Sequence, residues 1–315
     1  MDTRERYRGS LLGLAVGDAL GAQVEFKSPG PFEPVVDMVG GGPFGLSAGQ
    51  WTDDTSMALC LAESLVETGG FDPQDQLERY VMWLREGHLS STGRCFDIGN
   101  TVHSALRRFE RTGEPYCGSE DPMTAGNGSI MRLAPVPLFY ADSPEEAVAR
   151  AADSSRTTHA AREAVDACRY LAALMVGAIK GATKDELLGS MFEPVAGIWN
   201  REPLAPKVAE IARGSFLRKN PPEIRGTGYC VQSLEAALWA FGKGRSFEES
   251  VIIAVNLGDD SDTTGAVLGQ LAGAYYGESG IPEHWRARLA MREVIEGFAD
   301  RLWEMSKKSG RMRRR

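Results

Sequence analysis

The sequence predicts a single all-α domain, and three observations lead to that prediction. Helix-start patterns, in which a polar capping residue precedes a proline or a glutamate, recur along the 315-residue chain. Apolar residues at helical spacing follow most of these starts, as between Leu171 and Ile179. No stretch alternates polar and apolar residues for long enough to predict a sheet. We therefore expect one compact helical domain over residues 1–305, followed by a basic, disordered tail at residues 306–315.

Two of these elements need separate arguments. Asp72, followed by a proline, predicts a helix that reaches about Arg85. The β-branched run at residues 251–255 would by itself favour a strand. Just before it, Ser246 and Glu249 have the spacing of a capping box, which predicts a helix instead.

Near the N-terminus, four glycines fall on one face of a predicted helix. Because they are spaced four residues apart, another helix could bring its backbone close to this face. This arrangement is explained by packing and needs no ligand. The four are Gly9, Gly13, Gly17 and Gly21.

Composition excludes several classes of protein. Hydrophobic residues make up 43% and charged residues 25%, an ordinary globular balance. The net charge of -8 argues against a general nucleic-acid or membrane surface, and we expect the basic tail to be solvated. Five cysteines without a Cys-x-x-Cys pattern predict neither a disulfide framework nor a zinc site, and they fit a reducing cytoplasm. The N-terminus lacks the apolar stretch of a signal peptide.

A first acidic segment, residues 52–55, reads Thr-Asp-Asp-Thr. Thr52 can cap a helix whose first turn would contain Asp53 and Asp54, followed by apolar residues at helical spacing. The helix dipole favours carboxylates in that position, so this segment could simply stabilise a helix start. On this evidence alone, no metal or substrate is required.

A second acidic segment, residues 259–263, reads Asp-Asp-Ser-Asp-Thr and follows an apolar stretch. Its carboxylates repel one another unless water or a cation lies between them, and hard divalent cations prefer such oxygen ligands. An EF-hand that begins at Asp260 would need a glutamate at position twelve, which is Leu271. The sequence thus excludes that calcium loop and leaves open whether the two segments meet at one metal site.

Other polar positions are candidates for ligand contact. Glu25, seven residues after Asp18, is predicted on the same helix face. The turn-rich segment 126–129 could cradle a phosphate with backbone N–H groups, or it could be an ordinary turn. Residues 97–101 could begin a helix or bind ligand, and His159 is predicted in the first turn of a helix.

Taken together, these segments resemble the ADP-ribosylglycohydrolase family. They occur in the order typical of that family and extend over most of the chain, and the combination is far more specific than any single motif. The matching segments are residues 13–21 with Glu25, 51–55, 97–101, 126–132, 158–159 and 256–265.

The resemblance implies a compact all-helical fold with a centre of two Mg²⁺ or Mn²⁺ ions. It implies catalytic roles for Glu25, Asp54 and Asp260, while Asp259 matches less well. The implied metal ligands are Thr52, Asp53, Asp54, Asp260, Asp262 and Thr263. The implied substrate-binding residues are Asp97, Gly99, Gly126, Asn127, Gly128, Ser129 and His159.

The resemblance also implies an activity, namely hydrolysis of the bond between ADP-ribose and a modified protein side chain, with arginine as the preferred linkage. The partners would be an ADP-ribosylated protein and the product ADP-ribose, and we expect a cytoplasmic monomer without a membrane or nucleic-acid partner. Three alternatives stay open. They are hydrolysis of another linkage (to serine, a nucleic acid or a small metabolite), a non-catalytic ADP-ribose-binding module, and a structural protein like some crystallins.

Overall fold

The computed structural model describes residues 2–313, with side chains through residue 308. These residues form fifteen α-helices, three short 3-10 turns and no β-strand, which confirms the predicted all-α fold. The helices are α1 (Thr3–Gly21), α2 (Asp53–Thr68), α3 (Pro73–Glu86), α4 (Asn100–Thr112), α5 (Pro135–Phe139), α6 (Pro144–Arg156), α7 (Arg162–Ile179), α8 (Lys184–Leu187), α9 (Ile198–Arg201), α10 (Pro206–Ala212), α11 (Cys230–Lys243), α12 (Phe247–Val255), α13 (Ser261–Tyr276), α14 (Glu283–Arg288) and α15 (Arg292–Arg313).

Local capping explains where two of the predicted helices begin. The Asp72 side chain accepts hydrogen bonds from backbone N–H groups of the first turn of α3. The Ser246 hydroxyl accepts from the N–H of Glu249, so the β-branched run that follows is part of α12 and not of a strand. The helix prediction for this run is therefore confirmed.

The centre of the fold is an antiparallel contact between α1 and α13. A Cβ on Gly13 would lie 2.3 Å from the carbonyl oxygen of Gly269, and a Cβ on Gly269 would lie 2.0 Å from that of Gly13. The predicted packing role of the α1 glycines is thus confirmed. Three of the four face glycines of α13, and Gly21 faces the backbone of Ser261 and Asp262. The facing pairs are Gly9 with Gly273, Gly13 with Gly269, and Gly17 with Gly265.

This antiparallel arrangement brings the end of α1 to the beginning of α13. The Ser261 hydroxyl donates to the carbonyl oxygen of Gly21 at 2.8 Å. The start of α2 lies at the same place, where the backbone N–H of Thr52 donates to Asp18 at 2.8 Å. One helix end and two helix starts therefore meet, and each contributes polar residues.

The last helix, α15, packs along α1, α2 and α5. Asp300 on α15 accepts from Arg4 at 2.6 Å and from Arg8 at 2.7 Å, which ties the two ends of the described chain together. The helix continues to Arg313, into the basic segment that the sequence analysis assigned to a tail. No helix within residues 2–313 has both the length and the apolar character needed to cross a bilayer.

Candidate active site

The starts of α2 and α13 place the two aspartate segments against each other. The Thr52 hydroxyl does not cap α2. It lies 3.2 Å from Asp262 Oδ2, across 210 residues of sequence, and 3.4 Å from Asp54 Oδ2. The Thr263 hydroxyl lies 3.4 Å from the same Asp54 oxygen. The two segments therefore form one site, a point that the residue pattern left open.

Asp18 supports this site from below and was not among the predicted site residues. One of its oxygens accepts from the backbone N–H of Thr52 at 2.8 Å and from its hydroxyl at 3.0 Å. The other accepts from the N–H of Thr55 at 3.0 Å and from its hydroxyl at 2.6 Å. The signal in the sequence was a lone carboxylate inside a helix of small and apolar residues, because such a group needs partners when it is buried.

Above Asp18, three carboxylates from separate parts of the chain converge. Oxygens of Glu25, Asp97 and Asp262 all lie within 4.8 Å of one another. The spacing predicted that Glu25 shares a helix face with Asp18, and this prediction is wrong. Helix α1 ends at Gly21, and Glu25 lies in the turn beyond it. Asp97 lies in the loop before α4 with φ of +61°, a conformation that few non-glycine residues adopt.

No ion pair within the described residues neutralises this cluster. Burial, and then the Asp97 carboxylate, raise the pKa of Glu25 to about 9. Burial, and then the Asp260 carboxylate, raise the pKa of Asp97 to about 7. Burial also raises the pKa of Asp18 to about 6, although the hydrogen bonds from Thr55 oppose the shift. The pKa values of Asp53, Asp54 and Asp262 lie well above their ordinary range, first through burial and then through neighbouring carboxylates.

The donor atoms fit a hard divalent cation. Asp54 Oδ1 and Glu25 Oε2 are buried and have no hydrogen-bond partner, which is costly for carboxylate oxygens unless a cation or water contacts them. Every side chain that could contribute is a carboxylate or a hydroxyl, the ligand types preferred by Mg²⁺ and Mn²⁺. Within the described residues, the carboxylates whose oxygens lie close enough together to share a cation are Glu25, Asp97 and Asp262. The ligand set that the resemblance implies shares Asp262 with this group and otherwise consists of neighbouring carboxylates and hydroxyls, namely Thr52, Asp53, Asp54, Asp260 and Thr263.

A cleft of about 350 Å³ opens above the carboxylates. Thr52 and Asp54 lie beneath its floor and are not part of its lining. Ser129 lies behind the wall, where its hydroxyl is contacted by Ser155 at 2.8 Å and Cys168 at 3.4 Å. The predicted residues that do line the cleft are Glu25, Asp53, Asp97, Gly99, Gly126, Asn127, Gly128, His159, Asp260, Asp262 and Thr263. Ile98, Asn100, Thr101 and Met131 also line the cleft, from segments 97–101 and 126–132 that the resemblance had identified. Lining residues that no predicted segment contained are Phe26, Val102 and Gly228.

In segment 126–129, the backbone N–H groups of Gly126 and Asn127 are already used within the protein, so the predicted phosphate cradle is limited to the N–H groups of Gly128 and Ser129. The N–H of Gly126 donates to the carbonyl oxygen of Thr124 at 2.7 Å, and the N–H of Asn127 donates to that of Gly228 at 3.1 Å. Neither N–H group is therefore available to a phosphate. Instead, the side-chain amide of Asn127 donates to Asp260 Oδ2 at 2.8 Å and orients this carboxylate.

His159 lies in the turn between α6 and α7, not in the first turn of α7 as the sequence suggested. Its ring is 1% exposed and lines the cleft. Burial, and then the neighbouring Arg132 guanidinium, lower the pKa of His159 to about 3, so the ring is neutral at physiological pH.

Asp259 is separate from the cluster. Its side chain forms an ion pair with Arg225 at 2.8 Å and does not line the cleft. Its φ of +55° turns the backbone so that Asp260 and the residues after it enter the site.

Comparison with known proteins adds independent information. A family model described as ADP-ribosylglycohydrolase matches residues 1–311. The chain is 45% identical over 300 residues to "ADP-ribosylarginine hydrolase Tri1" of Pseudomonas putida (strain GB-1), a match that covers 95% of this chain and 78% of that protein. It is 33% identical over 295 residues to "ADP-ribosyl-[dinitrogen reductase] glycohydrolase" of Rhodospirillum rubrum, covering 91% of each chain.

A solved structure agrees with these matches. The structure described as "ADP-ribosylglycohydrolase-related protein complex" superposes with a TM-score of 0.85 at 48% sequence identity, covering 96% of this chain and 99% of that chain. Because the family model extends over nearly the whole sequence, the chain belongs to the ADP-ribosylglycohydrolase family and is a glycohydrolase.

Proposed function

We propose that this protein hydrolyses the bond between the C1″ carbon of ADP-ribose and an arginine side chain of a modified protein, with two divalent cations as cofactors. The observation that carries this proposal is the buried, unneutralised carboxylate cluster at the floor of an open cleft. Similarity to relatives named ADP-ribosylarginine hydrolase, at 45% and 41% identity, supports arginine as the linkage.

The cleft has the size and the lining expected of a small-molecule site. Its volume of about 350 Å³ lies within the usual range for ligand pockets. It shares Thr101, Gly126 and Gly228 with a second cavity of about 540 Å³, so an elongated ligand could extend from one into the other. ADP-ribose is such a ligand.

Thr52, Asp53, Asp54, Asp260, Asp262 and Thr263 would hold the cations. When bound, Mg²⁺ or Mn²⁺ supplies Lewis-acid polarisation of ligand oxygens and activation of water. Asp18 fixes the Thr52 hydroxyl, and Asn127 fixes Asp260, so two of these ligands are oriented before any cation arrives.

Glu25 and Asp97 are the groups that can handle protons. Cleavage of a glycosidic bond develops positive charge on the ribose, which nearby carboxylates stabilise, and the leaving nitrogen must receive a proton. Glu25 lines the cleft, and its Oε2 atom is free of hydrogen bonds within the described residues. Glu25 can therefore exchange a proton with the substrate or with water. Asp260 would act from the lining of the cleft, and Asp54 from beneath it.

The direct test is release of free ADP-ribose from arginine-, serine- and nucleotide-linked substrates, with Mg²⁺ or Mn²⁺ and with chelator. We expect metal-dependent release from the arginine-linked substrate and a loss of that release in Asp260→Ala and Asp262→Ala. Asp259→Asn is the matched control, because Asp259 lies next to these residues in sequence but outside the cleft. It should keep wild-type activity.

Two results would contradict the proposal. Undiminished release by Asp260→Ala or Asp262→Ala would refute the site. Binding of ADP-ribose without release from any linkage, with cation present, would favour a binding module over an enzyme.

A further inference from the structure

The cleft histidine is connected to a buried arginine that the proposed reaction does not use. Arg132 is fully buried and forms no ion pair with a carboxylate in the described residues. Its guanidinium lies over the ring of Tyr80 at 4.7 Å and donates to the carbonyl oxygen of Gly128 at 2.6 Å. It also donates to the Thr158 hydroxyl oxygen at 2.7 Å. An arginine side chain has only donors, so Thr158 must be the acceptor in this hydrogen bond.

Because Thr158 accepts the hydrogen bond from Arg132, its own hydroxyl proton needs a different acceptor. The hydroxyl is buried, and the one other hydrogen bond that it forms in the described residues is to His159 Nδ1 at 2.9 Å. A buried hydroxyl proton without an acceptor is costly, so the hydroxyl donates to Nδ1. Nδ1 of the neutral ring then carries no proton, and the ring proton is on Nε2.

The Nε2 atom faces the cleft. It lies beside Gly126 and Gly128, where added Cβ atoms would come within 3.4 Å and 3.3 Å of it. None of the hydrogen bonds in the described residues uses it. It is therefore left for a ligand.

We propose that Arg132 and Thr158 are positioning residues that hold His159 as the Nε2–H tautomer, so that the ring donates a hydrogen bond to an oxygen of the bound ADP-ribosyl group. In this role the histidine is a fixed donor and not the general base. A side chain at residue 126 or 128 would block this donor, which gives a physical reason for both glycines.

Nitrogen-15 NMR of the histidine rings tests the tautomer directly, because the chain has only four histidines. We expect His159 to show a protonated Nε2 and a bare Nδ1 at neutral pH. In Thr158→Val, this tautomer should lose its preference, and affinity for ADP-ribose should fall by roughly 2- to 15-fold, the value of one hydrogen bond. Thr158→Ser keeps the hydroxyl and should restore both properties.

A proton on Nδ1 in the wild-type protein would overturn the inference. So would a Thr158→Val protein with an unchanged ring spectrum and unchanged affinity. Restored stability without restored affinity in Thr158→Ser would reduce Thr158 to a structural role and also contradict the proposal.

A second, independent feature lies on the other side of the cleft. Phe26 lines the cleft and yet is 67% exposed, although burial would stabilise such a side chain. It has a φ of +61° and is held there by two backbone hydrogen bonds of 2.8 Å between segment 26–27 and Asp259. The backbone that presents the exposed Phe26 side chain is therefore held in place by hydrogen bonds.

Phe26 is the outer member of an aromatic row. Its ring centroid lies 6.3 Å from that of Phe44, which lies 5.3 Å from that of Phe96. The two end members directly adjoin Glu25 and Asp97 in the sequence, and those carboxylates converge in the cleft. An exposed aromatic face beside carboxyl groups offers a surface on which a planar cation can stack.

We infer that Phe26 contacts the guanidinium of the modified arginine and so favours arginine over uncharged linkages. This inference rests on the proposed function. Guanidinium groups stack on aromatic faces, whereas an ADP-ribosylated serine offers no cation to this surface.

The test compares Phe26→Leu with Phe26→Trp on ADP-ribosylarginine. With Phe26→Leu, kcat/KM should fall about 2- to 30-fold, because cation–π contacts contribute about 0.5–2 kcal/mol. Phe26→Trp should recover the loss. Inhibition by ADP-ribose, which lacks the guanidinium, should be the same in all three proteins.

The outcomes separate the two proposals. If the wild-type protein releases ADP-ribose from arginine and Phe26→Leu does so equally well, the role of Phe26 is refuted and the proposed function stands. If Phe26→Leu weakens inhibition by ADP-ribose as much as it lowers kcat/KM, Phe26 only shapes the cleft, and the inference also fails. If the wild-type protein cleaves serine-linked but not arginine-linked substrate, both proposals fall.

Discussion

At the scale of single residues, the site depends on carboxylates that are costly to the fold. Asp54 is 1% exposed, and one of its oxygens has no partner. Burial of such a group without a partner destabilises the protein, yet the proposed metal site uses Asp54 as a ligand. The same conflict between stability and function recurs in many active sites.

Asp54→Asn separates these two effects, because it removes the charge and keeps the shape. We expect release of ADP-ribose to fall by about 100-fold or more, since even the loss of outer groups around a metal costs about 10- to 100-fold. In chelator at pH 8.5, the same variant should unfold at a higher temperature than wild type, because burial and neighbouring carboxylates oppose ionisation of the Asp54 carboxyl, which the variant lacks. Activity assays and thermal denaturation in EDTA measure the two effects. A lower unfolding temperature in EDTA would show that the Asp54 charge is not a source of instability.

At the scale of elements, the geometry of the site follows from the α1–α13 contact. The glycine faces let the two helix backbones approach, and their antiparallel direction puts Asp18 beside the start of α13. The four glycines on one face of α1 predict a close helix partner. They do not identify the partner, because a small-residue face specifies the distance of approach and not the helix that approaches.

Gly269→Ala tests this contact. The new Cβ would lie 2.0 Å from the carbonyl oxygen of Gly13, so the helices must separate, and we expect a loss of about 1–3 kcal/mol or more in the free energy of unfolding. Denaturant unfolding measures this loss.

Gly297→Ala is the matched control within a helix, because no atom beyond the neighbouring backbone of its own helix lies within 4 Å of its added Cβ. It should leave stability unchanged or raise it by about 0.5–1 kcal/mol through helix propensity. Equal effects of the two substitutions would refute the role of close packing.

At the scale of the whole molecule, the acidic cluster couples stability to pH. The pKa values of Asp18, Asp97 and Glu25 are raised to about 6, 7 and 9, from ordinary values of 3.8, 3.8 and 4.5. Between about pH 4 and pH 9 the folded state therefore holds protons that the unfolded chain has released. Since the folded state binds more protons, its stability falls as pH rises through this window.

Without cations, we expect a lower unfolding temperature at pH 8.5 than at pH 5.5. Excess Mg²⁺ or Mn²⁺ should raise it more at pH 8.5, because cations bind deprotonated carboxylates and stabilise the folded state by mass action. Thermal denaturation in EDTA and in excess cation, at both pH values, measures this. An unfolding temperature that rises with pH in EDTA would mean that burial does not raise the pKa values of these carboxyl groups.

The sequence by itself determined the helical class, the capped starts of α3 and α12, and the oxygen-rich character of the site. These are local properties, since capping, helical spacing and the preference of cations for carboxylates depend on residues close together in the chain. The family resemblance then implied substrate-binding roles for residues such as His159 and Asp97, which do line the cleft.

Only the tertiary structure decided which of these residues meet. Thr52 could have capped its own helix, and its hydroxyl instead contacts Asp262. Ser129 was predicted to line the cleft and lies behind its wall. Asp18 and Phe26 belong to the site although neither was predicted there, and only Asp18 had a signal in the sequence, as a lone carboxylate in an apolar helix. The physical reason is that a side chain's partners depend on contacts between distant segments. Here those contacts are set by two glycine faces that bring one helix end and two helix starts together.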